Sequence, residues 1–377
     1  MRTIVRRAKR HLTLPAVSLV LAGLLPGLLG GCGADEPELT REPAVSFDGE
    51  SVVTVKRSGD KLYVEQDGRR LPGKYEYLQR VIPTRRGPVF AARKGDKWIV
   101  MRGGERVGDE YDFVGGVTAG PEGEVAFIAK VEEGQQIIRD GEPVGKAYER
   151  VGAPVFSPDG SVLAYIAEEA GTSFLVRDGV PQPGEYEGVE RPRFGPDGVS
   201  LFYVVQDGEH RQTLMRDGER ISPPLEGKIA TWAVSPDGET TVVIQRHKMQ
   251  NFVIRNGTTI AGPLEAEVMT WPVFGPDGRT VFYGGTETGQ QWIIYRDDQA
   301  FTGAIEASTL ADLLVSPDGS AVACAANING QWYVLKNGRV VSNAFHKVAN
   351  LRNGPAGNTL LFAGLLGSTV TEMQIEW

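Results

Sequence analysis

Beyond about residue 43 the apolar residues come in short runs of two to five, separated by polar clusters rich in glycine, proline, aspartate and asparagine. No run repeats with a helical period, and runs of this length bounded by turn formers predict strands. One stretch shows the order. The apolar pair Val155-Phe156 precedes Ser157-Pro158-Asp159-Gly160, and Val162-Leu163-Ala164-Tyr165-Ile166 follows. Consecutive apolar positions in a strand predict that both of its faces are buried. A polar turn then leads to Phe174-Leu175-Val176, with counterparts at Trp292-Ile293-Ile294 and Trp332-Tyr333-Val334. Such third strands end in Asp67-Gly68, Asp140-Gly141, Asp178-Gly179, Asp217-Gly218, Asn256-Gly257 and Asn337-Gly338. These dipeptides predict tight hairpins, because both turn residues need positive φ. The fourth strand is the most polar, as an outer edge strand should be.

The unit recurs. SPDG stands at Ser157–Gly160, Ser235–Gly238 and Ser316–Gly319, and GPDG at Gly195–Gly198 and Gly275–Gly278. Degenerate copies fall at Ser46–Gly49, Gly120–Gly123 and Gly354–Gly357, with a poor one near Arg85-Arg86-Gly87, at intervals of 36 to 41 residues. Proline presets φ at the second turn position, and glycine takes the strained fourth. Asp159, Gly160, Asp197, Gly198, Asp237, Gly238, Asp277, Gly278, Asp318 and Gly319 are therefore read as structural turn residues. Four strands at a period near forty predict an all-β fold, a β-propeller of four-stranded antiparallel blades. Eight full repeats begin near 43, 81, 117, 153, 192, 231, 271 and 312, and residues 350–377 make a partial ninth. Glu38-Leu39-Thr40 would complete a ninth blade, and eight blades with an irregular seam is the alternative.

The N-terminus is set apart from this pattern. Arg2, Arg6, Arg7, Lys9 and Arg10 precede an apolar stretch broken by Pro15 and Pro26, which ends in Leu29-Gly30-Gly31-Cys32. Charge, apolar run and small-small-Cys in this order resemble the signal peptide and lipobox of a bacterial lipoprotein, with Cys32 as the lipidated residue. Three segments are expected: a signal peptide over 1–32, a polar tether over 33–42 and the propeller over 43–377. The expected location is the cell envelope, anchored by lipid. In a cell with two membranes, the lack of aspartate in Gly33-Ala34 points to the periplasmic face of the outer membrane.

Composition is ordinary for a globular chain, with 41% hydrophobic and 23% charged residues. Without residues 1–32 the chain holds 35 basic residues against 48 acidic, a net charge of −13. That balance argues against nucleic acid as a partner. Cys324, in the apolar run Ala321–Ala325, is read as an inert core thiol.

The repeated SPDG, the apolar strand after it and the strand ending in Asp-Gly resemble the WD40-like (PD40) repeat of TolB-type β-propellers. The best copies are Pro154–Gly179, Pro192–Gly218 and Pro272–Asp297, and the resemblance covers residues 43–377. No Trp-Asp dipeptide occurs, which separates the chain from true WD40 repeats. The resemblance implies an interaction platform in the periplasm or at the cell surface and no single activity.

The sequence offers little chemistry. His11, His210, His247 and His346 lie far apart with no metal-ligand spacing, and no nucleophile elbow, phosphate loop or calcium loop is present. No catalytic residue, metal or cofactor is assigned. One positional feature stands out. An apolar or aromatic residue is followed by a polar one at Tyr75-Glu76, Tyr111-Asp112, Tyr148-Glu149, Tyr186-Glu187, Leu225-Glu226, Leu264-Glu265, Ile305-Glu306 and Phe345-His346. If the ring closes, Glu76, Asp112, Glu149, Glu187, Glu226, Glu265 and Glu306 form an acidic circle, read either as the solvated side of edge strands or as a rim that binds a basic segment or cations. Trp98, Trp292 and Trp332 are expected to pack between blades, whereas Trp232 and Trp271 are candidate aromatic binding surfaces. The expected function is a monomeric scaffold binding an envelope protein or peptide. The alternative is a propeller enzyme or small-ligand sensor using the central channel.

Overall fold

The computed structural model describes residues 44–47, 51–207, 211–264, 268–367 and 369–377. All regular structure among them is β, arranged in nine antiparallel sheets in chain order. The first eight each have a path of four strands, and the ninth, Lys347–Asn353, Thr359–Leu366 and Thr369–Glu376, has three. The segment expected to be a lipobox, Cys32 and Glu38-Leu39-Thr40 lie outside the described residues. The sixth sheet shows the plan. Lys228–Val234 pairs with Thr241–His247, which pairs with Gln250–Arg255, which pairs with Thr258–Leu264. From the second sheet to the ninth, each first strand touches a strand of the sheet before it, and the first strands of the sixth to ninth sheets touch one another in turn, so first strands line a central channel and fourth strands lie outermost.

The apolar runs explain the ring. Successive residues of a strand point to opposite faces. In the second strand of the seventh sheet, Val281 and Tyr283 pack on the sixth sheet while Phe282 packs on the eighth. The same division recurs, so each contact between neighbouring sheets has its own buried cluster. A small cluster of Val52, Ala363 and Leu365 joins the first sheet to the ninth and closes the ring. The sheets therefore form a β-propeller. Trp98 and Trp292 are buried in these inter-sheet clusters, as expected, and Trp332 packs against one.

The turn residues do more than bend the chain. Asp67, Asp140, Asp178, Asp217, Asn256 and Asn337 all have positive φ, as do the glycines after them. Their side chains also accept the N–H that opens the second strand of the same sheet. Asp178 bonds Leu163 at 2.8 Å, Asp217 bonds Leu201 at 2.9 Å, and Asn337 bonds Val322 at 2.9 Å. The outer hairpin is thereby tied to the inner one. In several sheets the last residue of the third strand reaches to the next sheet. Arg139 donates to the carbonyls of Gly160 at 2.7 Å and Ser161 at 3.1 Å. Arg102 donates to the Gly123 carbonyl and the Asp140 carboxylate, and Arg255 to the Arg279 carbonyl.

The SPDG aspartates are satisfied inside their own turns. Asp159 accepts from the Ser157 hydroxyl at 2.5 Å and from the Ser161 N–H and hydroxyl at 3.0 and 2.8 Å. The Ser157 hydroxyl bond and then the two Ser161 bonds lower its pKa to about 2, and Ser316 and Ser320 do the same for Asp318. The unfolded value is about 3.9. A carboxyl depressed on folding stabilises the native state above the unfolded pKa, and that contribution fades as pH falls from about 4 toward 2. The Asp159→Asn/Asp318→Asn variant is expected to lose stability less steeply than wild type over this range. Urea midpoints at pH 2 to 5 check this; parallel curves would show that the two turns do not drive acid unfolding.

Candidate functional site

The fourth strand brings the rim residues back to the start of the third. Tyr75 pairs with Leu62, Tyr186 with Ser173, Phe345 with Trp332, Glu226 with Arg211 and Glu306 with Gln291. The rim therefore sits at the end of the sheets where second and third strands are joined, opposite the SPDG turns. The first member of each pair packs on the inter-sheet core. Tyr75 meets Phe90 edge-on at 5.6 Å, Tyr111 meets Phe127, Tyr148 meets Phe174, and Phe345 meets Phe362. The second member is exposed in Glu76, Asp112, Glu149, Glu187, Glu226, Glu306 and His346, while Glu265 lies outside the described residues.

Basic groups interleave with this rim. Lys97 pairs with Asp112 at 2.5 Å, which holds that carboxyl below its usual range. His247 lies 3.7 Å from Glu226, and Glu149 accepts the Ala170 N–H of the next sheet at 3.3 Å. The carboxylates occupy equivalent places, but Lys97 neutralises Asp112, and an imidazole and a backbone N–H approach Glu226 and Glu149.

The two tryptophans separate. Trp232 is 3% exposed, packed on Phe202 with ring centres 5.8 Å apart. It presents no binding surface, which corrects the expectation from sequence. Trp232 stands three residues before its SPDG turn, and Trp271 four before its GPDG turn. One residue of register turns a side chain to the other face. Trp232 enters the inter-sheet core, whereas Trp271 is 41% exposed at the channel mouth on the SPDG side. Arg193, from the first strand of the fifth sheet (Gly188–Phe194), connects them. Its guanidinium carbon lies 3.5 Å from the Trp271 ring centre and 4.6 Å from that of Trp232. Two indoles that close to one carbon cannot overlap, so they cover different sides of the cation. Nothing in the sequence pairs Arg193 with tryptophans one and two repeats away.

Further round the channel, Asp312 and Lys347 come from the first strands of the eighth and ninth sheets, and both are half-buried. Burial, and then the positive charge of Arg80 from the second sheet, push the Lys347 pKa down, with Asp312 opposing. Asp312 also borders Cys324, whose thiol burial raises to about 12. That thiol is buried and unpaired, as the apolar run predicted. A shallow groove of about 300 Å³ lies between the fifth and sixth sheets, lined by Phe202, Arg216, Ile221, Gly238, Glu239 and Asn256. Among the described residues, no group of three or more His, Cys, Asp or Glu side chains could hold a metal ion.

No family model matches the chain, and no curated protein does either. Among solved structures, a eukaryotic initiation factor is similar over 86% of this chain and 96% of its own, with 10% identity and a TM-score of 0.51. TolB from Acinetobacter baumannii is similar over 69% of this chain and 75% of its own, with 14% identity and a TM-score of 0.34. The Dos1 propeller is similar over 88% and 92%, with 10% identity and a TM-score of 0.41. Likeness at these identities concerns the fold alone. By its own sheet order, and in agreement with the first of these likenesses, the chain is an all-β propeller.

Proposed function

We propose that this chain is a lipid-anchored propeller of the TolB-like, WD40-like repeat type, which holds a basic segment of an envelope protein on its rim without catalysing a reaction. The observation that carries this reading is the recurrence of an exposed carboxylate beside a packed residue, at one place in successive sheets. The packed member fixes the height of each carboxylate on the ring, so the spacing of the charges is built into the fold. A solvated edge strand needs polarity but not the same sign at each repeat. Anchoring at Cys32 would keep this platform at the membrane surface, on the periplasmic side of an outer membrane where there is one.

Each exposed charge pair contributes about 0.2–1 kcal/mol. Reversing Glu76, Glu149, Glu187 and Glu226 to lysine together is therefore expected to lower recovery of a crosslinked partner from native envelopes at least tenfold. The loss should shrink in high salt, which already weakens the wild-type contact. Equal recovery, at an unchanged melting temperature, would overturn the rim as the docking surface. Cys32→Ala is expected to move the protein from the membrane to the soluble fraction; retention would overturn the lipid anchor.

A further inference from the structure

The ninth sheet has an open edge. Its outermost described strand, Thr369–Glu376, pairs with Thr359–Leu366 on one side and with no described strand on the other. It is eight residues long, where the third strands of the other sheets have six. Met373, Ile375 and Trp377 pack on the cluster between the eighth and ninth sheets. The Trp377 N–H bonds the Asn358 carbonyl at 3.1 Å. Hydrogen bonding alternates along an antiparallel strand, so the N–H and C=O of Val370, Glu372 and Gln374 point away from the sheet. A long, regular edge of this kind is a template for one more strand.

The other sheets show what fills this place. The residue five before the rim acid donates its N–H to the third strand: Leu71 to the Val64 carbonyl at 2.8 Å, Gln182 to Leu175 at 2.7 Å and Phe301 to Ile294 at 2.8 Å. The residue just before the rim acid pairs with the start of that strand, as Tyr75 does with Leu62 and Tyr186 with Ser173. The rim acid in turn keeps a fixed distance from the next turn. It stands ten residues before the third turn position in Asp112 and Glu122, Glu149 and Asp159, and Glu187 and Asp197. Counting back ten from Asp48, in the first degenerate copy of the turn, reaches Glu38, with Pro37 in the packed place. Pro43 fixes the register: it stands five before Asp48, as Pro154, Pro192 and Pro272 stand five before Asp159, Asp197 and Asp277. Gly33 then falls where Leu71, Gln182 and Phe301 stand, whereas Leu39-Thr40 already matches Arg150-Val151 in a first strand.

We propose that the open edge of the ninth sheet takes residues 33–38 of the same chain as its fourth strand, which sets Cys32 at the SPDG end of the sheets and turns the rim away from the membrane. The Gly33 N–H bonds the Glu372 carbonyl, the Val370 N–H bonds the Pro37 carbonyl, and Glu38 joins the rim. Proline has no N–H, so Pro37 keeps only the accepting half of its pair. Six residues at about 3.3 Å each lie within the length of the open strand. The same count puts Cys32 where Arg106, Pro181 and Ala300 stand. Arg106 pairs with Met101, Pro181 with Val176 and Ala300 with Tyr295, each beside the turn into the fourth strand and so at the SPDG end. Val180, Val199 and Val340 are exposed at this end. Such groups gain from a lipid surface, where the rim carboxylates would lose their water. The orientation rests on the lipid anchor proposed above; the strand does not.

Pro37→Cys/Val370→Cys is expected to form a disulfide within one chain, since paired residues of an antiparallel ladder lie about 5.5 Å apart at Cα. Pro37→Cys/Thr371→Cys, one residue out of register, should form it severalfold less. Both are measured in the mature chain in detergent and in its Cys32→Ala form, so failure of the lipid anchor and failure of the strand are read apart. Hydrogen exchange needs no new cysteine. The Val370 amide is expected to exchange severalfold more slowly in the mature chain than in one whose residues 33–38 are replaced by a Gly-Ser linker of equal length. No disulfide, a disulfide between two copies, or equal exchange would overturn the strand. For the orientation, the mature chain is reconstituted in vesicles containing nitroxide-labelled lipid. The buried Cys324 leaves a single added cysteine to carry the fluorophore. A fluorophore at Val199→Cys is expected to be quenched severalfold more than one at Glu226→Cys; equal or reversed quenching would overturn the orientation.

Discussion

Phe282→Ala is expected to destabilise the propeller by about 3–5 kcal/mol, the range for deleting a buried aromatic ring. Phe282 is 0% exposed and faces the eighth sheet. Its ring meets Phe301 edge-on at 5.5 Å, and Trp292, Ile294, Ile305, Val322 and Cys324 belong to the same cluster. Backbone hydrogen bonds fix the surrounding strands, so the space left by the ring cannot close fully and both the transfer and the cavity contributions are lost. Each junction between neighbouring sheets has its own cluster, so the damage should be local before it is global. Hydrogen exchange should rise first in Val322–Ile328 and Gln331–Lys336, while Val89–Lys94 on the far side of the ring stays protected. The shift in denaturant midpoint measures the total loss. A shift worth less than about 1 kcal/mol, or a uniform rise in exchange, would show that this junction does not depend on the ring.

How much of this was readable beforehand depends on the kind of feature. Turn chemistry is local, and it was legible: the Asp-Gly and Asn-Gly pairs do adopt positive φ, and the SPDG aspartates are bound within their own turns. The consecutive apolar residues of Leu163–Glu169 are shared between the third and fifth sheets, as burial on two faces requires. What escaped was what depends on register or on contact across repeats. Trp232 and Trp271 both follow a threonine in similar strings, yet one residue of offset from the turn sends them to opposite surroundings. The stack with Arg193 joins three repeats and has no local signature. The arginine at the end of most third strands did have one: Arg102, Arg139, Arg177, Arg216, Arg255 and Arg296 recur at the repeat spacing. The sign was visible in the sequence, but the purpose was not, because the carbonyls they bind belong to the next sheet.

Gly145→Ala is expected to destabilise by about 2–4 kcal/mol, although it adds a single methyl group on an outer strand. Gly145 sits where the pairing of Gly134–Arg139 with Glu142–Tyr148 shifts register, with φ +73. An L side chain in this left-handed region costs about 1–2 kcal/mol. The added carbon would also stand 2.8 Å from the Gly179 Cα and 2.9 Å from the Gly179 carbonyl oxygen, in the Asp-Gly turn of the next sheet. Backbone cannot swing away as a side-chain tip can, and overpacking of this kind costs about 1–3 kcal/mol. The hydroxyl of Tyr165, 3.0 Å from the new carbon, donates to the Val144 carbonyl at 3.1 Å and would be pushed from it. Gly171→Ala separates the two causes, since Gly171 has φ +80 but open space where its side chain would be. That variant should lose only the conformational part, about 1–2 kcal/mol. Equal losses in the two variants would mean that the third and fourth sheets can part at Gly145 and Gly179 without cost. A larger loss at Gly145 would mean that the ring owes its spacing at this junction to two glycines in backbone contact, one of them the glycine of a repeated turn.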